Sequence, residues 1–385
     1  MIRGISELTA TLAIKTRDPL PGTAGFAGQL SDGRLMRDIL GRYPLFIDPE
    51  NHRWGYQPAD MQQPHILPPG TIVTQNGLQQ IWPLPRYRSI STSTGISRLE
   101  TILQQRLADI PTEDAAIGFS GGVDSALIAQ AVDVPCYTIG FPGSSDFESA
   151  RKAKQLLDIN VRFIEITHDD ILSALPRVVN AIHRTDPMDV SIALSLYLLA
   201  KGVYSAGYTS LILGQGVDEL FGGYDKIANA KTHSHTQADS TKKAHREVIA
   251  NLPSQLVRDQ LAIQAANVSP EMPFIHDDLA KIALSLPANG IVTDTERKVA
   301  FRHASRSFLP DRLAFNKKTA IQYGSYVTRE LDRLARENGF KRNMSNHIEK
   351  FIQEEISPNF TPIQQVSSEG LPESISDPSK ITLES

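Results

Sequence analysis

The chain has 385 residues, 41% hydrophobic and 21% charged, with a formal net charge of −4. Ordinary globular composition at that length holds two or three domains, and the slight acidic balance offers no broad basic surface, which argues against a nucleic-acid partner. No signal-peptide core opens the sequence and no apolar run of about 18 residues stands ready to span a bilayer, so a cytoplasmic protein without a membrane partner is expected.

Residues 1–88 carry short β-like runs such as TIVTQNGLQQIW, rich in proline and glycine and with little helical periodicity, which predicts a small β-rich domain. SISTSTG, residues 89–95, reads as a polar linker. From 96 to 352 the strand-like runs AAIGF, CYTIGF, VRFIEI and SLILG are separated by helix-length patterns such as DFESARKAKQLLD. That alternation predicts an α/β fold, a parallel sheet with helices on both faces. Cys136, the single cysteine, falls in one of these runs and is expected as a buried strand residue of a reducing compartment. KTHSHTQADST, residues 231–241, reads as a mobile polar loop, the stretch from Ala244 onward as mostly helical, and 353–385 as a disordered tail.

The sharpest local signal is AAIGFSGGVDSALIAQ, residues 115–130. Ile117 and Phe119 close a buried strand, and Ala126, Leu127 and Ala129 suit the opening of a helix. Ser120, Gly121 and Gly122 then lie where backbone amides at a helix N-terminus favour an anion, and glycine lets the anion approach closely. A Walker loop would place a lysine here, whereas this loop has Asp124. A carboxylate beside phosphates implies a divalent cation between them, and Mg²⁺ is expected. SLILGQGVDELFGGY, residues 210–224, repeats the pattern of strand, glycine turn and acidic pair. Loops at the carboxyl ends of parallel strands are where open α/β sheets bind ligands, so Asp124 and Asp218 are candidate ligands of one shared metal.

Together, SGGVDS and GQGVDELFGGY resemble the synthetase domain of the asparagine synthetase family. RTDPMDVSIALSLYLLAK, MPFIHD and RKVAFRHASRSFLPDRLAFNKK are similar to further segments of that family in the same order, over about 96–330. The resemblance implies an adenine nucleotide alpha-hydrolase-like fold. It also implies ATP-dependent activation of a carboxylate, aspartate by default, as an acyl-adenylate with release of pyrophosphate, followed by attack of ammonia or another amine. On that basis Ser120, Gly121, Gly122, Asp124, Ser125 and Gly214 belong to the nucleotide site, the backbone of Ile139 and Gly140 faces adenine, and Lys318 matches the catalytic lysine. Gln215 and Glu219 join the catalytic set. Lys298 and Arg302, four apart on an expected helical face, contact either phosphate or solvent.

Residues 35–48, LMRDILGRYPLFID, and the segment ILPPGTIVTQNG resemble parts of the family's glutaminase domain, in a truncated form. Those glutaminases use an N-terminal cysteine as nucleophile, and this chain begins MIRGISEL. Free ammonia or a separate amidase is therefore the expected nitrogen source. Two further departures concern the acceptor: Gln215 stands where the family has glutamate, and Glu271 where it has an arginine near the amino-acid substrate. Three readings stay open: an amide ligase, a related ATP pyrophosphatase modifying tRNA or another carrier, and a regulatory or inactive nucleotide-binding homologue. The oligomeric state is open as well.

Overall fold

The computed structural model describes residues 1–385 except 49, 52, 59–60, 75–76, 231–235, 317–320, 357–359, 366–381 and 384–385. In the front part, β1 (Ile2–Arg3), α1 (Glu7–Thr16), β2 (Ala27–Gln29), β3 (Leu35–Arg37), β4 (Phe46–Asp48), β5 (Arg53–Gly55), β6 (His65–Ile66), β7 (Thr71–Thr74) and β8 (Gly77–Gln80) follow in order. They build an antiparallel sheet β1-β2-β3-β7-β8 and a second sheet in which β4 lies between β6 and β5. Ala27, Leu35, Leu45, Ile47, Trp54, Leu67 and Val73 pack together as a core of this region. Helix α1 was not expected. Ser6 caps it by accepting from the Thr9 amide, and only Ala10 and Ala13 of its residues are buried.

The main part opens with α2 (Thr92–Ala108), β9 (Ala115–Gly118), α3 (Val123–Ala131), β10 (Cys136–Gly140), α4 (Ser145–Leu157) and β11 (Val161–Glu165). It continues with α5 (His168–Ile182), α6 (Pro187–Ser205), β12 (Ser210–Ile212), α7 (Val217–Phe221), α8 (Asp225–Ala228), α9 (Gln237–Gln264) and β13 (Ser269–Glu271). The sheet runs β11-β10-β9-β12-β13 with all pairings parallel. Side chains alternate across it: Ala115 and Ile117 join the core formed with α2, α3 and α4, while Ala116, Tyr137 and Ile139 join the core formed with α5, α6 and α9. The parallel α/β sheet expected from the sequence is thus present, with helices on both faces.

Two boundaries differ from the sequence reading. Helix α2 begins inside the stretch read as a linker, because Ser91 accepts from the Thr94 amide as its N-cap and Gly95 packs against Leu286. Likewise α9 takes in residues 237–241 of the stretch read as a mobile loop, with Thr236 as N-cap accepting from the Asp239 amide; 231–235 lie outside the described residues. Strand β13 was not anticipated, its Ser-Pro-Glu sequence carrying no apolar signal. As the edge strand of the main sheet it tolerates Pro270.

Beyond β13 come α10 (Asp277–Ser285), α11 (Ala288–Ile291), α12 (Val299–Ser305), α13 (Asp311–Ala314), α14 (Ile321–Gly324), α15 (Val327–Glu337) and α16 (His347–Glu354). The segment read as a tail contributes β14 (Gln364–Gln365), parallel to β6, and β15 (Thr382–Leu383), parallel to β5. No described helix is long and apolar enough to cross a membrane. The front and main parts share one core, in which Phe26, Met36, Ile39, Ile72 and Trp82 are grouped with Leu99, Leu103 and Ile282.

Candidate active site

Strand order places the site. β10 and β11 lie on one side of β9, and β12 and β13 on the other, so the crevice of this sheet opens between the carboxyl ends of β9 and β12. The loop after β9 and the turn after β12 meet there. Gly121 has φ +71°, and the carbonyl oxygen of Ser149 lies 2.5 Å from where its Cβ would stand, so only glycine fits. Gly122 is the N-cap of α3 and offers no side-chain cap, which leaves the first amides of that helix for another acceptor. Ser125 organises the loop: its Oγ accepts from the Ser120 amide at 3.2 Å and donates to the Gly122 carbonyl at 3.3 Å. Asn316 Nδ2 donates to the Gly121 carbonyl at 3.2 Å, a brace that nothing in the local sequence announces.

Asp124, Asp218 and Lys298 converge into one cluster. Lys298 Nζ lies 3.0 and 2.8 Å from the two carboxylate oxygens of Asp124 and 2.9 Å from Asp218 Oδ1. Gly214 makes room for this: a Cβ there would stand 2.8 Å from the Cβ of Asp124. Asp124 and Lys298 are each 6% exposed, while the Asp218 side chain retains 43% of its accessible surface. Burial works against the charge of Lys298, but the two carboxylates outweigh it and hold the ammonium above its usual pKa. The lysine does not share a helical face with Arg302, as its spacing suggested. It is the N-cap of α12, at φ 57°, a left-handed conformation that costs a non-glycine residue about 1–3 kcal/mol. Arg302 turns to backbone carbonyls, donating to Arg297 at 3.0 Å and Ala314 at 2.8 Å.

Glu219 stands next to Asp218 on α7 but faces the other way. It is buried and accepts from the Tyr224 hydroxyl, which also reaches Gln255 Oε1 at 3.2 Å. Burial, and then the neighbouring charge of Asp218, push the Glu219 carboxyl up to about 7. Gln215 is half-buried in the turn between β12 and α7. Ile139 and Gly140 close β10 as buried residues, and Ser144 packs on Gly140. The Ser144 hydroxyl is fully buried and has no partner among the described residues. It is a candidate nucleotide contact that the sequence reading missed. Lys318 lies outside the described residues.

No group of three or more His, Cys, Asp or Glu is gathered for a metal among the described residues. Two carboxylates do suit Mg²⁺, which is usually held by one or two carboxylates together with substrate phosphates and water. Asp124 and Asp218, converging on the Lys298 ammonium in front of a helix end without a side-chain cap, fit that requirement.

Comparison with known proteins gives this geometry a family. The asparagine synthase family model matches residues 112–267 and 231–361. A protein of Methanocaldococcus jannaschii, provisionally named asparagine synthetase [glutamine-hydrolyzing] 1, is 26% identical over 278 residues, covering 63% of this chain and 51% of that protein. Asparagine synthetase [glutamine-hydrolyzing] 3 of Arabidopsis thaliana is 22% identical over 335 residues, covering 75% and 55%. The chain thus spans about half the length of these relatives. Among solved structures, the NMN synthetase of Francisella tularensis covers 76% of this chain and 94% of its own, at 16% identity and a TM-score of 0.32. With the family model spanning the glycine loop after β9, the acidic turn and Lys298 alike, the chain belongs to the asparagine synthase family.

Proposed function

We propose that this protein is an ATP-dependent amide ligase that adenylates a small carboxylate, aspartate by default, and passes the acyl group to ammonia or another amine. The observation that carries this reading is the convergence of Asp124 and Asp218 at the head of the phosphate loop. A carboxylate oxygen attacks the α-phosphorus, the bond to the bridging oxygen of the β-phosphate breaks, and pyrophosphate leaves. The amine then attacks the acyl carbon, AMP departs and the amine loses a proton. Amides of Ser120–Ser125 at the start of α3 hold the leaving pyrophosphate. Asp124 and Asp218 are the residues that would hold Mg²⁺, which would supply charge neutralisation at that leaving group. Lys298 keeps the two carboxylates aligned, and Lys318 has the role the family resemblance gives it, stabilising charge around the adenylate.

The nucleophile is ammonia, supplied free or by an amidase, and no thiol among the residues of this sequence is placed to release it from glutamine. Cys136, the one cysteine of the chain, is buried in β10, and burial pushes its thiol up to about 12, which makes it no nucleophile at neutral pH. A second reading, a nucleotide-binding homologue without turnover, is favoured by Gln215, which cannot take a proton where the family's glutamate could.

The test is carboxylate-dependent exchange of labelled pyrophosphate into ATP by the full chain. Exchange is expected with at least one small amino acid or dicarboxylate. Asp124→Asn and Asp218→Asn should each lower it by about 10²-fold or more, the scale of losing an electrostatic contact to the transition state. Wild-type exchange rates in both variants would remove the shared-metal reading. Tight ATP binding without exchange for any acid would favour the second reading.

A further inference from the structure

The peptide plane between Gly121 and Gly122 is held from one side only. Asn316 Nδ2 donates to the Gly121 carbonyl at 3.2 Å, from 195 positions further along the chain. In a trans peptide the carbonyl and the N–H that follows it point in opposite directions. The bond that fixes the Gly121 oxygen therefore also fixes the Gly122 amide, aimed away from Asn316. Gly122 is buried, yet its N–H meets no acceptor among the described residues. A buried amide left without an acceptor costs free energy that a bound anion would recover.

This plane needs a hold from outside the loop. Gly121, at φ +71° and with no side chain, leaves its peptides freer to rotate than any other residue type would. Rotation of the 121–122 plane would exchange its two ends and present an oxygen to an incoming anion. Ser125 Oγ does not prevent this, since it is engaged by the Ser120 amide and the Gly122 carbonyl, one peptide away on either side.

Asn316 is itself anchored by backbone and by charge-bearing neighbours. Its amide donates to the Leu313 carbonyl at 3.1 Å, just past α13. Two residues before it, the Ala314 carbonyl accepts from Arg302 Nη1 at 2.8 Å, and Arg302 Nε donates to the Arg297 carbonyl at 3.0 Å, beside Lys298. One frame, residues 297–316, thus reaches the two carboxylates through Lys298 and the glycine loop through Asn316.

We propose that Asn316 is a positioning residue for the leaving group: by holding the Gly121 carbonyl it aims the Gly122 N–H at the pyrophosphate. This rests on the amide-ligase reading, in which the loop after β9 holds that group. The effect is confined to the pyrophosphate portion of the nucleotide, so AMP, which lacks it, does not depend on Asn316.

The test is isothermal titration calorimetry of the full chain with inorganic pyrophosphate and, separately, with AMP, both in MgCl₂. The wild type should bind both. Asn316→Ala, and Asn316→Leu, which keeps the size of the side chain but has no donor, should each weaken pyrophosphate binding about tenfold, the scale of one hydrogen bond. The AMP affinity of both variants should stay at the wild-type value, which also shows that they are folded. Unchanged pyrophosphate affinity in both variants overturns the proposal and leaves the amide-ligase reading standing. Equal losses for pyrophosphate and AMP overturn it as well, because they make Asn316 a support of the whole site. A wild-type chain that fails to bind one of the two probes overturns the proposal together with the reading of the site on which it rests.

Discussion

Lys298 holds the two acidic loops together by charge. With Asp124 it forms a buried pair, and with the half-exposed Asp218 a bridge across the crevice. Lys298→Met removes the counter-charge and leaves two carboxylates facing each other. Removing one partner of a fully buried pair costs about 3–5 kcal/mol, and the exposure of Asp218 lowers the expectation here toward or below the smaller figure. A divalent cation can take the place of the ammonium, so millimolar Mg²⁺ should raise the stability of the variant more than that of the wild type. Urea unfolding with and without MgCl₂ checks this. Equal stabilisation of both proteins would mean that metal and ammonium do not compete for these carboxylates. Asp124 and Asp218 were legible as candidates in the sequence, because glycine loops and acidic turns have local signatures, whereas Lys298 was read only as a contact of phosphate or solvent. The distances among the three were not legible, since Asp124 and Lys298 are 174 positions apart.

At the scale of elements, the short helix α7 is tied to α9 through Glu219, Tyr224 and Gln255. The Glu219 carboxyl, at 4.5 when free and about 7 in the fold, stays protonated in the folded protein over a pH range where the unfolded chain has lost the proton. The native state therefore binds more protons between those values, and this group's contribution to stability falls as pH rises from about 4.5 to about 7. At 1.36 kcal/mol per pH unit the loss is at most about 3 kcal/mol. Asp277, raised to about 7 chiefly by burial, acts in the same direction, so the comparison must be made against a variant. Glu219→Gln should reduce the fall in unfolding free energy between pH 5 and pH 7; an unchanged slope would assign the effect elsewhere. Element legibility followed side-chain size. The strand ending in Phe119 and the helix after it announce themselves through large apolar residues. Helix α1 hides because its buried face is Ala10 and Ala13, while Leu8 and Leu12 stay exposed at 80% and 57%.

For the molecule as a whole, the front part is no appendage. Trp82, 2% exposed, sits edge-on to Phe26 with ring centroids 5.7 Å apart, within the core shared with α2 and α10. Arg246 on α9 donates to the carbonyls of Leu84 and Pro85, and Asp277 at the start of α10 accepts from the amides of Gly22 and Thr23. Trp82→Ala is expected to cost about 3–5 kcal/mol, the range for deleting a large buried aromatic. Because the core is shared, that loss should appear in one cooperative unfolding transition of the entire chain. Denaturation followed by far-UV circular dichroism and by nucleotide protection tests this. A separate early transition of the front part, with the main part unshifted, would show two independent cores.

The sequence by itself determined the parallel α/β sheet, the glycine loop after β9 and the acidic turn. Each is written in contiguous residues, whose apolar period and glycine placement act over a single turn or strand. Only the tertiary structure decided what those residues face. It set Lys298 between Asp124 and Asp218, turned Glu219 toward Tyr224, and paired Glu271 on the edge strand with Arg42, 229 positions earlier. It also joined Gln364–Gln365 to β6 as an edge strand. The physical reason is that a polar side chain satisfies its charge or hydrogen bond with whatever chain packing brings near it. Residue type declares that a partner is needed, and the packing of distant segments selects which one.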